Sequence, residues 1–464
     1  MAQQTEVRIV PNGGDTYGWS VSFPAMGTRV DISGWGGDLH AITEAACSVV
    51  AHDEALFSVF RPDSDISRLN CFASASLSPP FSGDEDAAAV DALTDELLRD
   101  ACELSRACGG VFTPLIGALV DLWDVKGRHQ AFLDGAGIRP LPTSEDIEAA
   151  LAATSLERIH RLAPRRWVLG VDGRSQRRRG HLSDMKDSGG IDARSSSFMG
   201  INPRVDLGGI AKGLTADRLA ERIMELGAGG VLVSLGTSSV TVRGTRVDGS
   251  VWKVGLRDPG ASESRWVGWV PLGEESSRGA QTSPGQAPSS VRRTRSDSQG
   301  PTGGFRALAT SGDYVGPALL RALAPRTQGI DVLGEDDVNA GRASGAKSQD
   351  RQGRVPRSTA RTESQAEFLE GMFLHHIIDP RTGRPSSGPF RQVSVLSQSG
   401  VMAEALSTAI LIGGVECVDE EAIERWAMHR GLDPRWSFIA LGDRAEDVVC
   451  SPGAQWMPRE SLAP

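Results

Sequence analysis

The 464-residue sequence predicts an α+β fold: a mixed β-sheet core flanked by helices, in a single large body with long flexible insertions. Three observations predict it. Segments with apolar residues at three-to-four spacing are interspersed with short runs rich in β-branched residues. No internal repeat is present, which excludes a solenoid or propeller. Three stretches of Ser, Gly, Pro, Gln and Arg interrupt the pattern, and hydrophobic residues make up only 39% of the chain.

Along the chain, residues 1–19 are expected to be a flexible N-terminal segment, 20–450 the folded domain and 451–464 a C-terminal tail. A helix is predicted over 41–59. Another covers 87–108, where Val90, Leu93, Leu97, Ala101 and Leu104 share one face and Gly109-Gly110 supply a stop. A helix over 212–226 precedes the strand Val231-Leu232-Val233-Ser234-Leu235. A strand at Val393-Ser394-Val395-Leu396 leads into a helix over 402–412. The stretches at about 172–197, 274–304 and 325–365 cannot bury enough apolar area to offset the entropy of ordering them, so they are expected to be flexible insertions.

Charge and cysteine usage narrow the function classes. With 49 Lys and Arg against 59 Asp and Glu the net charge is −10. That argues against a nucleic-acid or anionic-membrane binder, which needs a basic face. The six cysteines are scattered and form no CxxC pair, so buried free thiols are expected rather than a disulfide framework or zinc site. The polar start, Met1-Ala2-Gln3-Gln4-Thr5-Glu6-Val7, shows no signal-peptide pattern, and no run of about 18 apolar residues could span a bilayer. A cytoplasmic protein without membrane insertion is expected.

Three segments carry candidate chemistry. In Val205-Asp206-Leu207-Gly208-Gly209-Ile210-Ala211-Lys212-Gly213, a glycine pair opens a helix whose free N–H groups suit phosphate. Read alone, the same residues also suit a plain strand–turn–helix connection. Glu404 and Thr408 lie four residues apart, on one helix face, and offer hard oxygen ligands of the kind Mg²⁺ takes. Alone, such a pair is usually just a surface feature. His375-His376-Ile377-Ile378-Asp379-Pro380-Arg381-Thr382-Gly383 places two imidazoles before a tight turn. Strand alternation puts them on opposite faces, so one at most is a candidate base.

Taken in order, these blocks resemble the FAD:protein FMN transferase family, the ApbE-like flavin transferases. The resemblance also rests on Ala25-Met26-Gly27-Thr28, on Phe57-Ser58-Val59-Phe60-Arg61-Pro62-Asp63-Ser64-Asp65-Ile66-Ser67-Arg68-Leu69-Asn70, and on Phe112-Thr113-Pro114-Leu115-Ile116-Gly117 with Leu122-Trp123. Further blocks are 252–259, Thr310-Ser311-Gly312-Asp313-Tyr314 and Ala403-Glu404-Ala405-Leu406-Ser407-Thr408. The resemblance implies Mg²⁺-dependent transfer of FMN from FAD to a Ser or Thr hydroxyl of an acceptor protein, with release of AMP. Met26 and Phe60 would line the flavin pocket, with Thr113, Pro114 and Leu115 as a loop against the cofactor. Asp206 and Lys212 would contact FAD. The Gly209 carbonyl, Glu404 and Thr408 would hold Mg²⁺, and His376 would assist deprotonation of the incoming hydroxyl.

The chain departs from the family where Glu404 stands for the usual Asp, Thr113 for a frequent Asp and Phe60 for a frequent Tyr. Thr237 and Ser238 follow Leu235-Gly236 where the family commonly has a second glycine and then an acidic or amide residue. These departures leave two further readings: a non-catalytic FAD-binding or storage protein, and a pyrophosphatase that splits FAD into FMN and AMP. A scaffold acting through the basic-polar insertions is a third.

Overall fold

Strand order in the main sheet follows sequence order. β1 (Glu6–Pro11), β2 (Tyr17–Ala25), β3 (Thr28–Gly36), β4 (Ala228–Leu235), β5 (Ser239–Gly244), β6 (Ala307–Gly312), β7 (Gln392–Ser397), β8 (Ser437–Leu441) and β9 (Val448–Cys450) form one nine-stranded sheet in that order. Each neighbouring pair is antiparallel. The computed structural model describes residues 6–11, 17–72, 87–134, 140–170, 201–236, 238–259, 266–273, 304–312, 376–442 and 447–459. The stretches expected as insertions at 172–197, 274–304 and 325–365 lie outside the described residues, Gly304 excepted.

The α+β expectation holds. Helix α1 (Leu39–Phe57) starts where the Asp38 side chain accepts the His40 and Ala41 N–H groups. It buries Ile42, Ala46, Val50 and Phe57 along one stripe. α2 (Asp65–Phe72) follows a short turn. α3 (Ala92–Ala107) begins later than the predicted 87, because Asp91 caps it and Ala88–Ala89 pairs in a small sheet instead. Gly109 and Gly110 at positive φ end it as predicted. α4 (Gly117–Trp123), α5 (Ala211–Glu225) and α6 (Gly400–Gly413) complete the elements that build the site.

The sheet is covered on both faces. Ala216, Leu219, Ala220 and Ile223 of α5 pack with α1 onto Val30, Ile32, Val231 and Val233. Met402, Ala405, Leu406, Ala409 and Ile410 of α6 share a core with Ala309, Val393 and Val395. On the other face, Val240, Val242, Leu308, Leu396 and Ile439 meet Val254, Leu256, Val270 and Leu272 from a small antiparallel sheet. Each fully buried aliphatic side chain contributes about 1.5–3 kcal/mol. Covered on both faces, all six residues of β7 are buried.

Both chain ends differ from expectation. Residues 6–11, within the segment expected to be flexible, pair with β2 from Glu6↔Ser22 to Pro11↔Tyr17. Met457–Pro458, within the expected tail, pairs with the strand Trp266–Leu272. In each case backbone groups of a short segment find partners on an existing sheet edge. Of the thiols expected to be buried, Cys102 and Cys108 are buried, Cys47 and Cys417 are half-buried, and Cys71 and Cys450 are exposed. Among the described residues no helix is long and apolar enough to cross a membrane.

Candidate active site

The glycine-pair loop is fixed by bonds to segments far away in sequence. Asn70, on α2, clamps Val205 from both sides: its amide donates to the Val205 carbonyl (2.9 Å) and its carbonyl accepts the Val205 N–H (2.7 Å). The Asp206 N–H donates to the Pro114 carbonyl (2.8 Å) and the Gly117 N–H to the Arg204 carbonyl (3.1 Å). The predicted Thr113-Pro114-Leu115 loop and Asp206 are thereby adjacent. Thr113 is buried, with its hydroxyl donating to the Thr154 carbonyl (3.2 Å) and accepting the Leu115 N–H (3.3 Å). Asp206 in turn accepts the Gly208 N–H (2.7 Å), which fixes the turn into α5. A Cβ on Gly209 would sit 3.3 Å from the Phe112 ring, so the loop rests directly on that aromatic.

Glu404 is 5% exposed and lies one turn before Thr408 on α6. A carboxylate buried this far needs partners. Ser239 donates its hydroxyl to Oε1, and the Lys212 ammonium stands 3.6 Å from the same oxygen. Lys212 also donates to the Gly208 carbonyl at 2.8 Å. Oε2 is buried and has no hydrogen-bond partner among the described residues. Thr408 is half-buried, with Ser311 Oγ 3.0 Å from its hydroxyl and 2.9 Å from that of Ser407. Ser239 lies opposite Ala309 in the β5–β6 register. Ser311 is two residues beyond Ala309 and so shares its face. Glu404 and Thr408 thus rest on two strand serines.

The helices that carry Lys212 and Glu404 meet backbone to backbone. A Cβ on Gly213 would lie 2.3 Å from the Gly400 carbonyl oxygen, and one on Gly400 would lie 2.5 Å from that of Gly213. Asp217 locks the contact. It accepts the Gly400 N–H (2.7 Å) at the start of α6 and the Thr241 hydroxyl (2.8 Å) from β5, with Arg243 at 3.8 Å. Burial, opposed by Arg243 and these hydrogen bonds, pushes its pKa up to about 6.

Met26, Phe60 and His376 stand on three separate turns. Met26 and Gly27 form the two-residue β2–β3 turn, both at positive φ (50° and 67°), the geometry that matches hairpin twist. Glu54 on α1 accepts the Met26 N–H at 3.1 Å and helps hold this uncommon conformation. Phe60 is 92% exposed, between α1 and α2. His376 precedes the predicted turn, whose Gly383 N–H donates to the Asp379 carbonyl (2.8 Å). Trp123 of α4 donates to the Gly383 carbonyl (2.7 Å). Arg381 links Asp379 to the Ile412 carbonyl near the end of α6 (2.8 and 3.2 Å). His375, Asp313, Tyr314 and Thr237 lie outside the described residues.

Among the described residues no group of three or more His, Cys, Asp or Glu side chains could hold a metal ion. The chemistry left for a cation near Glu404 is one buried carboxylate with carbonyl and hydroxyl oxygens. That donor set is hard and suits Mg²⁺ when a substrate's phosphates complete it. The orphaned Oε2 of Glu404 fits such a cation, and the Gly208 carbonyl, one residue before the expected Gly209 ligand, already draws an ammonium. Ser239, Ser311, Asp217 and Asn70 take part in building this site and were not singled out from sequence. Ser311 and Asn70 fall inside recognised blocks; Ser239 and Asp217 are identified only by strand register and helix packing.

The sequence model of the ApbE family matches residues 26–283 and 360–427. The chain is similar to the FAD:protein FMN transferase of Treponema pallidum, 23% identical over 388 residues, which cover 82% of this chain and 73% of that protein. It is also 23% identical over 361 residues to the FAD:protein FMN transferase of Vibrio cholerae, covering 77% and 69%. Among solved structures, the ApbE protein of Thermotoga maritima matches with a TM-score of 0.54 at 18% identity, covering 94% of this chain and 97% of that one. The flavin transferase ApbE of Vibrio cholerae matches at 0.53 and 20% identity, covering 94% and 98%. At these identities the two structures show a shared fold.

Proposed function

The chain belongs to the ApbE family, and from that premise we propose that it transfers FMN from FAD to a Ser or Thr hydroxyl of an acceptor protein, releasing AMP, with Mg²⁺. The observation that carries the reading is the meeting of two distant segments. The glycine-pair loop with Lys212 and the Glu404 carboxylate lie within reach of one ammonium group.

In the reaction the acceptor hydroxyl oxygen bonds to the FMN phosphorus. The bond from that phosphorus to the bridging oxygen breaks, AMP leaves with that oxygen, and the hydroxyl proton goes to a base. His376, just before the tethered turn, is that base. The first turn of α5, from Lys212 on, presents backbone N–H groups to the pyrophosphate. Lys212 adds a positive charge there, and Asp206, oriented by the Gly208 N–H, binds the dinucleotide. Met26 and Phe60 contact the flavin, Phe60 offering an exposed ring for stacking. The Thr113-Pro114-Leu115 loop lies on Asp206 and borders the same ligand. The Gly209 carbonyl, Glu404 and Thr408 would hold Mg²⁺. Bound there, the ion supplies charge that stabilises the negative oxygens of the pyrophosphate.

Chromatography of nucleotides after incubation with FAD and Mg²⁺ tests the reading. Transfer predicts AMP without free FMN, and only with an acceptor present. FMN and AMP in equal amounts without an acceptor identify hydrolysis instead. Bound FAD with no AMP under any condition identifies a flavin-holding protein.

A further inference from the structure

The ammonium of Lys212 sits where a cation is wanted. It donates to the Gly208 carbonyl at 2.8 Å and lies 3.6 Å from Glu404 Oε1. Those are a glycine-pair carbonyl and the only carboxylate of the proposed metal site. Glu404 is therefore already partly neutralised within the chain, on the oxygen that Ser239 also bonds, while Oε2 is buried with no hydrogen-bond partner among the described residues. Asp206, in the same loop, is turned onto the Gly208 N–H.

We infer that Lys212 and a divalent cation exclude each other at Glu404, so that a dinucleotide's phosphates must draw Lys212 off the carboxylate before the metal binds tightly. This rests on the flavin-transfer reading for the identity of the dinucleotide, but not for the exclusion itself. A divalent ion on Glu404 beside a fixed ammonium faces like-charge repulsion in a site with little water to screen it. The Lys212 side chain is 23% exposed and long enough to swing from the Gly208 carbonyl toward a ligand at the start of α5. Phosphate offers it a better partner than a neutral carbonyl. Its departure takes the positive charge away from Glu404 and from the Gly208 carbonyl together. The order of binding, dinucleotide then metal, then follows from one side chain.

Titration of flavin-free protein with Mn²⁺, read by loss of the free-ion electron paramagnetic resonance signal, tests this without turnover. Lys212→Met is expected to bind Mn²⁺ at least about ten-fold more tightly than the unaltered chain, because the competing charge is gone. Lys212→Arg, which keeps the charge, is expected to stay near the unaltered chain. The double variant Lys212→Met/Glu404→Ala is expected to lose the gain, which locates the ion at Glu404. Circular dichroism confirms that each variant is folded. Equal Mn²⁺ affinity in Lys212→Met and the unaltered chain overturns the inference, as does equal tightening in Lys212→Arg. AMP release with no gain in Lys212→Met leaves flavin transfer standing and removes the exclusion. A gain without AMP release does the reverse.

Discussion

Ser239 donates its hydroxyl to Oε1 of Glu404 across 165 residues of chain. The bond directs one oxygen of the carboxylate at β5 and leaves Oε2 as a buried acceptor with no hydrogen-bond partner among the described residues. A buried acceptor left unmatched costs about 1–3 kcal/mol. A fold retains such an atom where a ligand completes it, and that makes Glu404 the first residue to alter.

Glu404→Ala is expected to abolish Mg²⁺-dependent AMP release and, since it removes the unmatched Oε2 but orphans the buried Ser239 hydroxyl, to change the unfolding free energy by no more than about 3 kcal/mol. Glu404→Asp, one methylene shorter, is expected to retain activity or raise it. Nucleotide chromatography and urea unfolding read both effects. Full Mg²⁺-dependent turnover in the Ala variant would show that Glu404 is no ligand.

Gly213→Ala sets two effects against each other. In a helix interior the change alone gains up to about 1 kcal/mol. Here the new Cβ lies 2.3 Å from the Gly400 carbonyl oxygen, and backbone on both sides cannot yield cheaply. Overpacking of this kind costs about 1–3 kcal/mol and wins. The variant is expected to melt at a lower temperature and to release AMP more slowly, because α5 and α6 carry Lys212 and Glu404. An unchanged or raised melting temperature would contradict the close contact.

Asp217 should leave a signature in the pH dependence of stability. Its folded pKa, about 6, lies above the ordinary value of 3.8, so the native chain binds the extra proton between these values. Stability from this group is present at the acid end and is lost as pH rises through that window. Relative to Asp217→Asn, the unaltered chain is expected to lose stability from about pH 4 to pH 6, by at most roughly 3 kcal/mol, and to run parallel above it. Urea unfolding of the two proteins across that range checks it. Parallel curves throughout would mean that Asp217 is not perturbed.

Asn70→Ala removes both bonds that clamp Val205. The Val205 groups lose their partners, at a cost of about 1–3 kcal/mol. The loop between Pro114 and α5 loses its anchor. FAD affinity, followed by flavin fluorescence, is expected to fall with it; unchanged affinity would show that the loop is held by the Asp206–Pro114 bond alone.

Much of this architecture was legible locally. The spacing of Leu93, Leu97, Ala101 and Leu104 followed by Gly109-Gly110 marked α3, and the β-branched run at Val231 to Leu235 marked β4, because burial patterns and glycine stops act over a few residues. What local pattern does not carry is which segments meet. Ser239 looks like any strand serine until register puts it opposite Ala309 and under Glu404. Asp217 reads as a polar helix residue until Gly213 and Gly400 bring two helices close enough for it to cap α6. Residues 6–11 read as loose because a short edge strand gains its order from its neighbour. The Asp206-to-Gly213 loop was found through its glycines, yet its clamp, Asn70, lay in a separate block.

Intact mass of an acceptor domain incubated with FAD, with Mg²⁺ or with excess chelator, tests flavin transfer most directly. The account predicts an acceptor heavier by one FMN less one water in the presence of Mg²⁺, lost on substituting the acceptor's Ser or Thr by Ala, and absent with chelator. An acceptor of unchanged mass under Mg²⁺, with a folded protein that binds FAD, would contradict it.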